Sequence, residues 1–188
     1  MTVTGMIAIR FGPRALLHAA VVLGLLLTSG CGRSTQQLEA DRLKNLGCDV
    51  RFRMVGKSLE VFWVEVPQRQ QPIDFAKSLE QFTSLETLIL TNTQLQDEDI
   101  TKLPELTRLK LLDVSQNNLS DRSVARLSRM NALETLVLDG NPITDNSISD
   151  LGQLRHLRAI CIRKTGVTEA GLMKLRDALP QCLIETSE

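Results

Sequence analysis

Four consecutive stretches of this 188-residue chain align at a period of 24 residues without an insertion. Leu85-Glu86-Thr87-Leu88-Ile89-Leu90 aligns with Leu109 to Val114, Leu133 to Leu138 and Leu157 to Ile162. Within each unit, positions 1, 4, 6, 11, 16, 19 and 22 are apolar. The first unit fills them with Leu85, Leu88, Leu90, Leu95, Ile100, Leu103 and Leu106, and the fourth with Leu157, Ile160, Ile162, Val167, Leu172, Leu175 and Ala178. All 28 such positions are apolar, although hydrophobic residues make up only 43% of the chain. One period earlier, Val61, Val64 and Val66 fit, as do Ala76, Leu79 and Phe82, with Gln71 the one departure. About five units therefore span residues 61–180, the first of them degenerate. A unit this short cannot bury its own apolar stripe, so it must stack on neighbours that share a continuous core.

The spacing also predicts what each unit does locally. The L-x-x-L-x-L segment reads as a short strand, with positions 4 and 6 pointing inward and positions 3 and 5 outward. At the ninth position stand Thr93, Asn117, Asn141 and Thr165, and Asn bonds backbone groups where a chain turns, Thr more weakly. Ser120, Thr144 and Thr168 read as helix N-caps. Each is followed by Asp121, Asp145 or Glu169, whose charge favours the positive helix end. Positions 16, 19 and 22 form the inward stripe of a short helix or 3₁₀ segment. Refilling the same narrow slots explains why the chain holds 32 Leu but only 3% aromatic residues, with one Trp and no Tyr.

With Asn or Thr at its ninth position, this pattern resembles the leucine-rich-repeat family over residues 61 to about 184. The continuation into x-(L/I/V)-(S/T)-(D/E) is similar to the short repeats of bacterial envelope proteins. The resemblance implies an α/β fold, a right-handed solenoid with a parallel concave sheet and short convex helices or 3₁₀ segments. It also implies non-catalytic protein binding through the concave sheet.

Residues 1–30 read as a signal peptide. Arg10 and Arg14 precede an uncharged run from Ala15 to Leu27, too short to span a bilayer and of the right length for a signal-peptide core. Ser29-Gly30-Cys31 resembles the lipobox of bacterial lipoproteins, in which the Cys receives a diacylglycerol; Thr28 departs from the aliphatic residue usual there. Cys31 is the expected lipidation site, with residues 31–35 as the tether. An ordinary cleaved signal peptide and an uncleaved anchor are the alternatives. Export to the cell envelope and attachment to a membrane, inner or outer, are expected. Removing residues 1–30 leaves 20 basic against 22 acidic residues, where the whole chain has 22 of each. That is not the basic excess of a nucleic-acid binder, and no nucleic-acid partner is expected.

Residues 36–60 read as an N-terminal cap. Gln36 to Leu46 suggests an amphipathic helix with Leu38, Leu43 and Leu46 apolar. Asp49 to Met54 alternates, and Gly56-Lys57 suggests a turn into a strand over Leu59 to Val66, a hairpin covering the first repeat edge. Residues 181–188 read as the C-terminal cap, with Leu179-Pro180 ending the last helix and one more short strand after it.

On the concave sheet, residues 24 apart are neighbours on adjacent strands. Position 2 reads Phe62, Glu86, Lys110, Glu134, Arg158, alternating charges that either pair across strands or grip a ligand; pairing is favoured. Asp139 and Arg163 at position 7 are expected to pair likewise. Positions 3 and 5 place Trp63, Ile89, Leu111 and Val137 on one solvent-facing surface, with Glu65, Asp113 and Asp139 beside them. These seven residues are the candidate protein-partner site, because contiguous exposed apolar area marks interaction surfaces and Trp is a favoured anchor. The competing readings are scattered apolar residues without a role, and a Trp63 that merely covers its own cap.

Motifs for catalysis are scarce. No Gly-rich phosphate loop, nucleophile elbow or paired-His motif occurs. His156 has no metal-ligand spacing around it, so no catalytic residue, metal or cofactor is expected. The one case for an enzyme is Cys161, whose thiol Arg163 and Lys164 would activate by lowering its pKa. Cys161 and Cys182 fall in neighbouring units and could form a disulfide, whereas Cys48 and Cys182 lie at opposite ends. The chain therefore reads as a monomeric, non-catalytic lipoprotein that binds a protein partner of unknown identity. The alternatives are a structural envelope protein packing through its convex side, and a thiol-dependent enzyme.

Overall fold

The computed structural model describes residues 34–56, 58–67 and 75–186. The expected signal peptide, Cys31, most of its tether and the departure at Gln71 lie outside the described residues. One seven-stranded sheet, in the order β1 to β7, forms the inner layer. Its strands are β1 (Asp49–Val55), β2 (Ser58–Glu65), β3 (Thr87–Ile89), β4 (Leu111–Asp113), β5 (Thr135–Val137), β6 (Ala159–Cys161) and β7 (Leu183–Glu185). β1 and β2 are an antiparallel hairpin, and every later neighbour is parallel. Short helices return the chain between parallel strands: α2 (Phe75–Leu79), α3 (Asp97–Thr101), α4 (Asp121–Leu127), α5 (Ile148–Leu151) after a 3₁₀ turn at Asp145–Ser147, and α6 (Glu169–Ala178). This is an α/β leucine-rich-repeat solenoid, one strand and one helical segment per 24 residues.

The apolar slots fill one core. Leu88, Leu90, Leu112, Val114, Leu136 and Leu138 are fully buried, as are Ile100, Val124 and Leu151 from the helical side. Two slots of the last unit depart from the expectation. Val167 is only partly buried and Ala178 is exposed, since among the described residues no further helical segment packs over them.

Polar side chains join one coil to the next. Asn117 donates to the carbonyl of its own coil at Val114 and of the preceding coil at Leu90, both at 2.8 Å. Its Oδ1 accepts from the N–H groups of Thr93 and Leu95, both at 3.0 Å. Asn141 repeats the pattern one coil later, toward Val114 and Leu138 as donor and Leu119 as acceptor. Thr93 and Thr165 donate to a carbonyl of their own coil, Leu90 and Ile162, each at 2.9 Å, with longer second contacts at 3.5 Å from Thr93 to Asn117 Oδ1 and at 3.4 Å from the Val167 N–H to Thr165. The shorter side chain closes a turn; the longer one also ties two turns together.

A second ladder runs along the helix starts. The caps form as the spacing predicts, with Ser120, Thr144 and Thr168 accepting from Arg122, Asn146 and Gly171 N–H. Their acidic neighbours do more than complement a helix dipole. Asp121 accepts from the N–H and hydroxyl of Thr144, and Asp145 from those of Thr168. Asp97 likewise holds the N–H and hydroxyl of Ser120 and the hydroxyl of Ser123.

The N-terminal cap begins with α1 (Thr35–Asn45), which Ser34 and Gln37 start with a reciprocal capping box. α1 buries Ala40 and Leu43, with Glu39 accepting from the Ser78 hydroxyl and Gln36 donating to Gln81. Leu38 and Leu46 differ from the expected apolar face, being 52% and 49% exposed. The inward stripe is set by Ala40 and Leu43, three apart. Leu38 sits about 200° around the helix from Ala40, and Leu46 falls at the C-cap, where the helix has ended. Gly56 turns the hairpin at φ +62°, a conformation that favours glycine.

Candidate partner-binding surface

Parallel register carries the outward positions of every repeat into two straight columns. One runs Trp63, Thr87, Leu111, Thr135, Ala159, Leu183; the other runs Glu65, Ile89, Asp113, Val137, Cys161, Glu185. Neighbours within a column are about 4.8 Å apart. The residues between them, Val64, Leu88, Leu112, Leu136 and Ile160, are buried at 0% exposure, which turns the flanking side chains outward. Trp63, Ile89, Leu111 and Val137 are all half-buried on this one face. They alternate between the columns and so form a chequerboard, with Thr87 and Thr135 in one set of gaps and Glu65 and Asp113 in the other.

Trp63 is held by the hairpin. Arg51 is its direct cross-strand partner and stacks on the indole at 4.4 Å, itself fixed by Asp49 at 2.7 Å. A stacked guanidinium adds cation–π attraction to the burial of one ring face. Register then shifts, Phe52 pairing with Val61, which leaves Phe62 as the extra residue of a β-bulge. This stacking was not legible in the sequence, because it depends on which residue of β1 falls opposite Trp63.

The acids have different surroundings. Asp113 accepts from the N–H and hydroxyl of Ser115, at 2.9 and 2.6 Å. Asp139 accepts from the Arg163 N–H at 2.7 Å. The expected ion pair between those two side chains is replaced: the Arg163 guanidinium turns to Glu185 on β7.

The charge row at position 2 pairs internally. Glu86 takes Lys110 at 3.2 Å and Arg53 at 2.5 Å, and Glu134 takes Arg158 at 3.2 Å. Burial alone would push the Glu86 carboxyl up, but Arg53 and Lys110 together hold it below its ordinary value. Arg53, contributed by the cap hairpin, extends the row by one member that the repeat spacing does not predict.

The surroundings of Cys161 disfavour a thiol nucleophile. Its thiol is pushed up to about 12, first by burial and then by the carboxylates of Glu185 and Asp139, against the opposing effect of Arg163. Glu185 Oε2 lies 3.7 Å from Sγ, and the cation expected to activate the thiol is neutralised by that same carboxylate. The Cys161–Cys182 disulfide is overturned. Both thiols are free; Cys161 faces outward, while Cys182 packs partly buried against the core side. His156 is exposed beside Arg108, Lys110 and Arg158 in a shallow furrow along the sheet rim. Among the described residues, no group of three or more His, Cys, Asp or Glu side chains could hold a metal ion.

The repeating unit, its strand register and its Asn/Thr turn position define a class of solenoid protein. The family model for the leucine rich repeat matches residues 83–143, the stretch that holds the most regular of these units. Among solved structures it is similar to two internalins of Listeria monocytogenes. For internalin InlF the identity is 23% and the TM-score 0.48, over 59% of this chain and 30% of that one. For internalin C2 they are 22% and 0.43, over 62% and 57%. A plant peptide hormone receptor, RGFR1 in complex with RGF2, is 18% identical with a TM-score of 0.37, over 72% and 28%. The chain thus spans less than two thirds of each of these proteins. No curated protein sequence matches it significantly.

Proposed function

We propose that the chain is a non-catalytic lipoprotein of the bacterial cell envelope that binds a protein partner on its concave sheet. One observation carries this reading. Parallel register gathers Trp63, Ile89, Leu111 and Val137, all half-buried, on one face beside Glu65, Asp113 and Asp139. Apolar side chains that the core does not need, with an aromatic anchor among them and acids at their margin, have the composition of a recognition surface. A monomer held at the membrane through a diacylglyceryl Cys31 would present that face to other envelope proteins. Packing through the convex side has less support, since Met173 is the one large apolar residue exposed on the repeat helices among the described residues.

The test is capture from envelope extract by the immobilised chain, read by mass spectrometry. A Trp63→Ser/Leu111→Asp variant with unchanged circular dichroism is expected to retain about thirtyfold less of the partner, the ratio set by one hot-spot residue. Unchanged capture would move the binding surface elsewhere.

A further inference from the structure

We propose that the outer face of the N-terminal cap lies against a lipid bilayer, an inference that rests on the lipoprotein reading of Cys31. Six large apolar residues are exposed among the described residues, and four of them, Leu38, Leu46, Met54 and Val55, belong to this cap. None of the four is needed to close the solenoid, because Ala40, Leu43 and Val50 do that from the buried side. Leu38 and Arg42 on the outside of α1 and Leu46 at its C-cap line a shallow furrow with Asp41 and Asn45. Met54 and Val55 end β1 at the hairpin tip, where strand alternation turns Met54 to the α1 side, as for Val50 and Phe52, and Val55 to the other.

The chain before α1 names the occupant. Two residues, Gly32 and Arg33, lie between Cys31 and Ser34, and the three Cα-to-Cα steps that join them reach at most about 10 Å. An acyl chain on Cys31 therefore brings the start of α1 to within about 10 Å of the headgroups. Apolar helix faces at that boundary bury to about 5–10 Å. The cap is thus confined where its exposed apolar side chains leave water. Arg42, half-exposed between Leu38 and Leu46, is placed to meet lipid phosphates, and its bond to Glu39 is long, at 3.5 Å. With the cap on the membrane, the sheet leads away from it from β2 to β7.

Two native methionines test this. Met54 in the cap is 53% exposed and Met173 in the last repeat 59%, so both oxidise readily in solution. The full-length gene product, purified from a bacterial host, is first weighed intact to establish whether Cys31 is acylated. It is then reconstituted in vesicles of phosphatidylethanolamine and phosphatidylglycerol and exposed to hydrogen peroxide, with the Cys31→Ser chain in buffer as reference. Oxidation of Met54 is expected to slow at least fivefold while that of Met173 is unchanged, and Leu38→Glu/Leu46→Glu to restore the Met54 rate. Equal rates at both methionines on an acylated chain overturn the membrane face and leave the lipoprotein reading standing. An intact mass without acyl chains overturns both.

Discussion

The carboxylate of Asp121 accepts two hydrogen bonds from Thr144, at 2.7 Å from its backbone N–H and 2.6 Å from its hydroxyl. Thr144 is the N-cap of the next coil, so an acidic residue of one repeat fixes the helix start of its successor. Asp97 and Asp145 do the same for Ser120 and Thr168. Among the described residues the ladder ends at Glu169, which pairs with Arg176 of its own helix at 2.8 Å.

Asp121→Ala should therefore cost more than an isolated cap residue. It strands a partly covered N–H at Thr144 and removes a charge-assisted bond, a loss of about 2–3 kcal/mol. Thr144→Ala keeps the backbone bond and should cost about 1 kcal/mol. Urea melts of both singles and the double give the coupling, and an additive double would show that the two bonds do not act as a unit.

Asn141→Thr tests why the middle coils carry Asn. Threonine at this position would bond Leu138, as Thr93 and Thr165 bond their own coils, and leave the Leu119 N–H without its side-chain partner, while Val114 C=O keeps only the bond from Asn117. With Asn141 1% exposed, the expected loss is about 2–3 kcal/mol. The reverse change, Thr165→Asn, should be close to neutral. A thermal shift of comparable size in both would contradict the ladder.

Acid should loosen the helix-start ladder. Burial pushes the Asp97 carboxyl up, but the hydroxyls of Ser120 and Ser123, the Ser120 N–H and Arg122 outweigh it and hold the group below its ordinary value. A carboxyl depressed in the folded state contributes stability above its unfolded pKa of about 3.9 and loses it as pH falls through the lower folded value. Urea midpoints taken from pH 6 down to pH 2.5 should fall at the acid end. Asp97→Asn should be less stable at pH 6 and show a shallower fall, and a parallel curve would rule out this source.

Cys161 should be inert to iodoacetamide at pH 8. A thiol pushed up to about 12 holds about a thousandfold less thiolate there than one at the ordinary value. Glu185→Gln removes a neighbouring carboxylate and should speed alkylation, read by peptide mass spectrometry. Native-state labelling of Cys161 as fast as in urea would restore the thiol as a candidate nucleophile.

The sequence by itself determined the repeat, the strand register and the inward slots, because a 24-residue period without insertions leaves one way to stack identical units. It also placed Trp63, Ile89, Leu111 and Val137 on one face, since outward positions follow from strand alternation alone. What it misjudged lies at the ends of the array, where period gives no constraint. Among the described residues no further helical segment covers Ala178 and Val167, and Leu38 and Leu46 belong to a helix whose orientation only contact with the first repeat decides. Tertiary structure alone decided the partners of charged groups: Arg51 on Trp63, Arg53 on Glu86, and Glu185 taking Arg163 from Asp139 and raising Cys161. Burial of an aliphatic slot is a local choice between two faces. The partner of a long charged side chain depends on which atoms several strands bring within about 4 Å, and no periodicity encodes that.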